Sequence, residues 1–231
     1  MIDAVLLDVG GVLWLPDHQR IGEAFRRAGV EVDPARLDRA HYVGVAALDD
    51  FTEGDRTIWA TYNRAYARDC EAPEEALDEV VEALLDEFAT GLVWSRVAPG
   101  STEALRALAG LGVRLAIVSN AEGTAELRLR EHGVCQVGPG RGVEVDVVID
   151  SAVVGVAKPD PRIFEFALEA LAVPADRAVH VGDTPAADVE GARAAGIRPL
   201  LLDPYDLHAG LEVERVRSLA DVVELVRAAN A

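Results

Sequence analysis

Four short stretches hold the side chains that could do chemistry together. "LLDVGGVL" (6–13) places one carboxylate, Asp8, after an apolar run and before two glycines. "IVSN" ends on Ser119 and Asn120, "VAKPDPRIF" carries Lys158, and "HVGDTPAADVEGARAAGI" carries Asp183 and Asp188. Each alone has an ordinary explanation as a turn residue, a helix cap, a solvated charge or an Asx turn. Together, a carboxylate, a hydroxyl, a cation and a carboxylate pair make the inventory of a phosphate site with a metal. A carboxylate can attack phosphorus, and a hydroxyl and an ammonium can hold phosphoryl oxygens. Carboxylates also give the hard oxygen ligands that Mg²⁺ prefers.

These residues need elements that bring them to one place, and the pattern of the chain supplies them. "AVLLDV" (4–9) reads as a buried strand ended by Gly10-Gly11. From Gln19 to Phe88 the strand signals vanish, and four segments show helical spacing: 21–30, 33–48, 55–70 and 73–89. Pro34 and Pro73 stand where first-turn prolines belong, and Gly29 can close a helix. After "VAPG" (97–100), helices alternate with strands at 113–120, 145–150, 177–183 and 197–203. That alternation implies a parallel sheet covered on both faces. A helical block between the first strand and its partners is too long for a loop. The expected architecture is therefore α/β, a Rossmann-like parallel sheet with an α-helical cap domain inserted after the first strand. The core domain would comprise 1–16 and 97–231, and the cap 17–96. In such sheets ligands bind at the carboxyl ends of the strands, where all four stretches fall.

Composition narrows the function classes. With 231 residues, 50% of them hydrophobic and 27% charged, the chain can bury a sizeable core. A formal net charge of −18 repels nucleic acid and anionic membrane, so an anionic substrate must meet a local cation or a metal. The two cysteines, Cys70 and Cys135, form no CxxC pair and read as inert thiols of a reducing compartment. No basic stretch precedes the N-terminal apolar run, Asp8 interrupts it, and no apolar segment is long enough to cross a bilayer. The expectation is a cytoplasmic protein with a small-molecule phosphate substrate and neither a nucleic-acid nor a membrane partner.

The four stretches, in order, resemble the four motifs of the haloacid dehalogenase-like (HAD) hydrolase superfamily, and the resemblance covers essentially the whole chain. "KPDPRIF" and "GDTPAADVEGARAAG" are the closest matches. The resemblance implies a helical cap of the C1 type, which closes over the site and sets specificity for small phosphorylated metabolites. It implies that Asp8 is the nucleophile of an aspartyl-phosphate mechanism. Ser119, just ahead of a helix N-terminus, would bind a phosphoryl oxygen together with Asn120. Lys158 would offset charge in the transition state. Asp8, Asp183 and the Gly10 carbonyl would hold Mg²⁺, with Asp188 as an outer or alternative ligand.

One departure from the family pattern concerns the first loop. Most phosphatases of the family read Asp-x-Asp there, the second carboxylate protonating the leaving oxygen and later activating water. Gly10 keeps the carbonyl and loses the acid, a group worth about 10²–10⁴-fold. The family's 2-haloacid dehalogenases also lack that Asp and share Ser-Asn, but they carry a tyrosine at the Gly10 position and uncharged residues at the metal carboxylates. A non-catalytic, phosphate-binding regulatory module is a third reading. Asp17 and His18, just past the loop, are candidates to replace the missing acid. In the cap, Ile58, Trp59, Tyr62 and Tyr66 follow helical spacing and read as core, while His41 and Tyr42 are left without a role.

Overall fold

The structure, a computed structural model, describes residues 1–48 and 56–231, with the backbone alone at 56 and 57. Part of the expected cap block, 49–55, lies outside the described residues. In chain order the elements are β1 (Ala4–Leu7), β2 (Trp14–Pro16), α1 (His18–Arg27), α2 (Leu37–Ala46), α3 (Arg56–Asp69), α4 (Leu77–Phe88) and β3 (Trp94–Val97). There follow α5 (Ser101–Gly110), β4 (Arg114–Ser119), α6 (Ala125–Glu131), β5 (Cys135–Val137), β6 (Val143–Val145), β7 (Val147–Asp150), α7 (Ser151–Val154) and α8 (Arg162–Leu171). The chain ends with β8 (Ala178–Gly182), α9 (Gly191–Ala194), β9 (Arg198–Leu202), β10 (Glu214–Val216) and α10 (Leu219–Ala229).

Six strands form one sheet in the order β10-β9-β8-β1-β4-β7. Every pair in it is parallel. Of the apolar runs read from the sequence, β1, β4, β8 and β9 are its inner strands and β7 is one edge; β1 and β8 are buried along their whole length, as inner parallel strands are. On one face Ala4, Leu6, Ala116, Val118 and Ile149 pack against Ile163, Phe164, Ala167 and Leu171 of α8. Burying a large apolar side chain stabilises by about 1.5–3 kcal/mol. The grip of α8 on the sheet thus also fixes the loop before it, which carries Lys158.

The chain divides into two compact units, Met1–Leu13 with Val97–Ala231, and Trp14–Arg96. The second is helical, with an interior drawn from all four helices: Phe25, Leu37, Tyr62, Tyr66, Leu77 and Leu84 are among its buried residues. The sequence reading missed a ribbon at the unit's two ends, where β2 pairs with β3. It also missed β10 and the β5–β6 pair. All but β3 are three-residue strands, too short to show a period of two. The expected strand 145–150 is split, Val145 ending β6 and β7 starting at Val147.

Candidate functional site

The site begins at β1. Asp8 follows its last residue, with its backbone N–H donating to the Val181 carbonyl of β8 at 2.9 Å. The loop then turns through Gly11 at φ 69°, a left-handed conformation that suits glycine. Gly10 is not the residue with the special conformation. The neighbouring strands end level with Asp8: Leu7 is in register with Ile117 of β4 and with Val181 of β8. Two residues further along each strand stand Ser119, the last residue of β4, and Asp183, just past β8.

Lys158 arrives from the loop before α8 and is almost fully buried, at 3% exposure. Its Nζ lies 2.8 Å from Asp8 Oδ1 and 2.7 Å from Asp188 Oδ1. Beyond this ion pair, the buried Asp8 Oδ1 has no further hydrogen-bond partner and keeps an unfilled acceptor position. Asn120 holds the lysine's backbone at both polar groups. Its Oδ1 accepts from Lys158 N at 2.8 Å, and its Nδ2 donates to Lys158 O at 3.0 Å. The amide expected to touch substrate is engaged in placing the cation.

Asp183 accepts from Thr184 Oγ1 at 3.1 Å, and Asp188 Oδ2 accepts from Thr184 N at 3.0 Å. Asp188 sits in a wide helical turn, Pro185–Glu190, whose extra residue per turn swings its carboxylate onto the backbone of β8. The approach is so close that a Cβ on Gly182 would stand 2.0 Å from Asp188 Cγ. That explains the glycine of the "HVGD" stretch.

Oxygen atoms of Asp8, Asp183 and Asp188 lie within 4.8 Å of one another. Three carboxylates and one ammonium leave a buried excess of negative charge. Burial is the main cause that raises the Asp8 carboxyl to about 7; Lys158 opposes it, and Asp188 and Asp183 add to it. Burial alone would lower Lys158, but Asp188 and then Asp8 outweigh it and hold the ammonium above its ordinary value. Burial likewise opposes ionisation of Asp188, yet Lys158 and the His180 hydrogen bond hold it below the usual carboxylate range. All-oxygen donors, excess negative charge and an unfilled acceptor on Asp8 together fit a small hard cation.

One expectation is corrected. Ser119 does not sit at a helix N-terminus, since α6 starts only at Ala125. The amides ahead of that helix are already taken: Asp150 accepts from Gly123 N at 2.9 Å and from Ala125 N at 3.2 Å. Asp17 caps α1 by accepting from Arg20 N at 3.0 Å, and His18 Nε2 meets Asp38 Oδ1 at 2.8 Å, all within the helical unit. In that unit Tyr62 and Tyr66 are buried, Trp59 packs partly buried against the same interior, and His41 and Tyr42 join them.

Sequence reasoning passed over three features. His180, a polar residue in the middle of a buried strand, needs a partner, and it finds Asp188 at 2.9 Å. Asp150 shapes the loop after Ser119. Lys158 is the only lysine in the chain, the other 21 of its 22 basic residues being arginines. A compact ammonium among guanidinium groups is itself a signal that this position asks for a point charge.

Comparisons with known proteins bear on the family and the fold. The family model for haloacid dehalogenase-like hydrolases matches residues 2–196. The chain is 34% identical over 140 residues to haloacid dehalogenase-like hydrolase domain-containing protein 3 of Mus musculus, covering 57% of the chain and about half, 51%, of that relative's length. It is 31% identical over 223 residues to phosphoglycolate phosphatase of Rhodospirillum rubrum, covering 95% of the chain and 85% of that protein. Its fold is shared with the crystal structure of a HAD phosphatase from Thermococcus onnurineus, with a TM-score of 0.56, 20% identity, and coverage of 97% and 98%. Among the described residues, no helix is long and apolar enough to cross a membrane.

Proposed function

Because the chain belongs to the haloacid dehalogenase-like hydrolases, we propose that it is a Mg²⁺-dependent phosphatase acting on a small phosphorylated metabolite through Asp8. One observation carries the reading: a lone ammonium lies 2.8 Å from a strand-end carboxylate that has two further carboxylates beside it. Retention of Asp183 and Asp188 favours phosphoryl transfer over dehalogenation. The phosphatase names among the relatives point the same way.

In this mechanism an Asp8 carboxylate oxygen attacks phosphorus, a new P–O bond forms, and the bond to the leaving oxygen breaks. The leaving oxygen departs with the electron pair and takes a proton from water. Water then attacks the aspartyl-phosphate, releasing phosphate and restoring Asp8. Lys158 stays cationic throughout and balances charge on the phosphoryl oxygens, with Ser119 donating its hydroxyl to one of them. Asn120 keeps Lys158 in place. Asp8, Asp183 and the Gly10 carbonyl would hold Mg²⁺, with Asp188 behind them. Bound there, the ion would neutralise the excess negative charge and keep Asp8 ionised at neutral pH.

The test is a panel of metabolite phosphates assayed with Mg²⁺ and with chelator, alongside Asp8→Asn. Phosphate release that needs Mg²⁺ and falls about 10⁴-fold or more in the variant supports the reading. Equal activity in the variant, once deamidation back to Asp is excluded by mass, removes Asp8 as the nucleophile.

A further inference from the structure

The chemistry above leaves His180 unused, although it is fully buried within β8. Its ring meets the edge of Phe164 with centroids 4.8 Å apart. Its Nε2 lies 2.9 Å from Asp188 Oδ1, the oxygen that also accepts from Lys158 Nζ at 2.7 Å. Lys158 Nζ in turn lies 2.8 Å from Asp8 Oδ1. A continuous chain of contacts thus runs from the centre of β8 to the nucleophile. An ionised carboxylate can only accept, so the hydrogen in the first of these contacts belongs to Nε2.

We propose that His180 is a positioning residue: donating from Nε2, it fixes the Asp188 carboxylate, which then holds the Lys158 ammonium on Asp8. Three donors reach that carboxylate, namely Lys158 Nζ and His180 Nε2 at Oδ1 and Thr184 N at Oδ2. Without His180, each oxygen keeps a single donor and the carboxylate can tilt, carrying the ammonium with it. A misplacement of about 1 Å near reacting atoms costs on the order of 10²-fold. The residue type also follows from the site. A lysine or arginine here would compete with Lys158 as counter-ion to Asp188, whereas a buried imidazole donates a hydrogen without adding a charge.

The inference rests on the phosphatase reading for its kinetic consequence alone, so the test has an arm that needs no activity. Because Lys158 is the only lysine, protein labelled with ¹⁵N-lysine has a single side-chain ammonium to observe. In metal-free wild type that signal is expected to be sharp and slow to exchange with water. In His180→Leu, which keeps an apolar group against Phe164, it broadens. His180→Gln restores a donor amide and sharpens it again. With a phosphate ester as substrate, His180→Leu lowers kcat about 10–100-fold with little change in KM, and His180→Gln recovers most of the loss. An ammonium signal in His180→Leu as sharp as in wild type overturns the proposal, as does a glutamine variant impaired as badly as the leucine one. Wild-type ring ¹⁵N spectra need no variant to fold: an Nε2–H tautomer supports the proposal, and an Nδ1–H tautomer with bare Nε2 ends it. If wild type hydrolyses no phosphate ester, the phosphatase reading fails, while both NMR arms still decide the role of His180.

Discussion

His180 lies within β8 of the α/β core and His41 within α2 of the helical unit, and both are buried. His41 Nδ1 meets Tyr62 Oη at 2.8 Å amid rings: Tyr42, Tyr62 and Trp94 lie edge-on around it. His180 meets a carboxylate already paired with an ammonium. The helical unit thus surrounds its buried histidine with rings and gains from aromatic packing, about 0.5–1.5 kcal/mol per ring pair beyond area. The core buries charges, which stabilises poorly, because desolvation offsets much of the Coulomb attraction. One interior is built for stability. The other accepts an excess of carboxylate that only a function explains.

The largest expected effect concerns what the charged interior lacks. Gly10→Asp should restore a proton donor beside the leaving oxygen and raise turnover of alkyl phosphates, toward the 10²–10⁴-fold worth of a positioned acid. Aryl phosphates, whose leaving groups depart unprotonated, should gain little. The special backbone conformation in this loop is at Gly11, so the variant should fold. Rates across a series of leaving groups check this. An unchanged slope would mean that another group already serves as the acid.

A smaller effect separates the two interiors by pH. Asp8 holds its proton more tightly folded, at about 7, than unfolded, near 3.8. Its contribution to stability is therefore fully present below pH 4 and lost as pH rises through 7. In chelator, the unfolding free energy of wild type from denaturant melts should fall relative to Asp8→Asn across that window, by up to about 1.4 kcal/mol per pH unit. Excess Mg²⁺ should shrink the gap. A difference that stays flat with pH would show that Asp8 is not crowded by its neighbours as described.

The smallest effect compares two glycines. A Cβ on Gly44 would stand 2.6 Å from the Tyr62 ring, and one on Gly182 would stand 2.0 Å from Asp188 Cγ. Alanine at either position overpacks an interior and should cost about 1–3 kcal/mol in a thermal or denaturant melt. Mg²⁺ affinity sorts them. By calorimetric titration, Gly182→Ala should weaken it and Gly44→Ala should leave it as in wild type. Equal losses would mean that the carboxylate cluster does not depend on how close Asp188 comes to β8.

The sequence by itself determined which strands would be buried, and that Asp8, Ser119, Lys158 and Asp183 would share one end of a sheet. Continuous apolar runs followed by turn residues are local signals, and parallel strands put their carboxyl ends together. It also put a glycine, with no side-chain carboxylate, two residues after Asp8, a matter of identity rather than shape. The three-residue strands β2, β5, β6 and β10 were not legible, because each is too short to show a period of two and is held by pairing with another segment and not by its own pattern. Tertiary structure alone decided how the polar groups are shared. Asn120 went to the Lys158 backbone, Asp17 and His18 to the helical unit, Asp150 to the loop ahead of α6, and His180 to Asp188. A hydrogen bond links atoms that may be far apart in the chain, and burial makes an unpartnered polar group costly. Each partner was therefore set by what packing brought within about 3 Å.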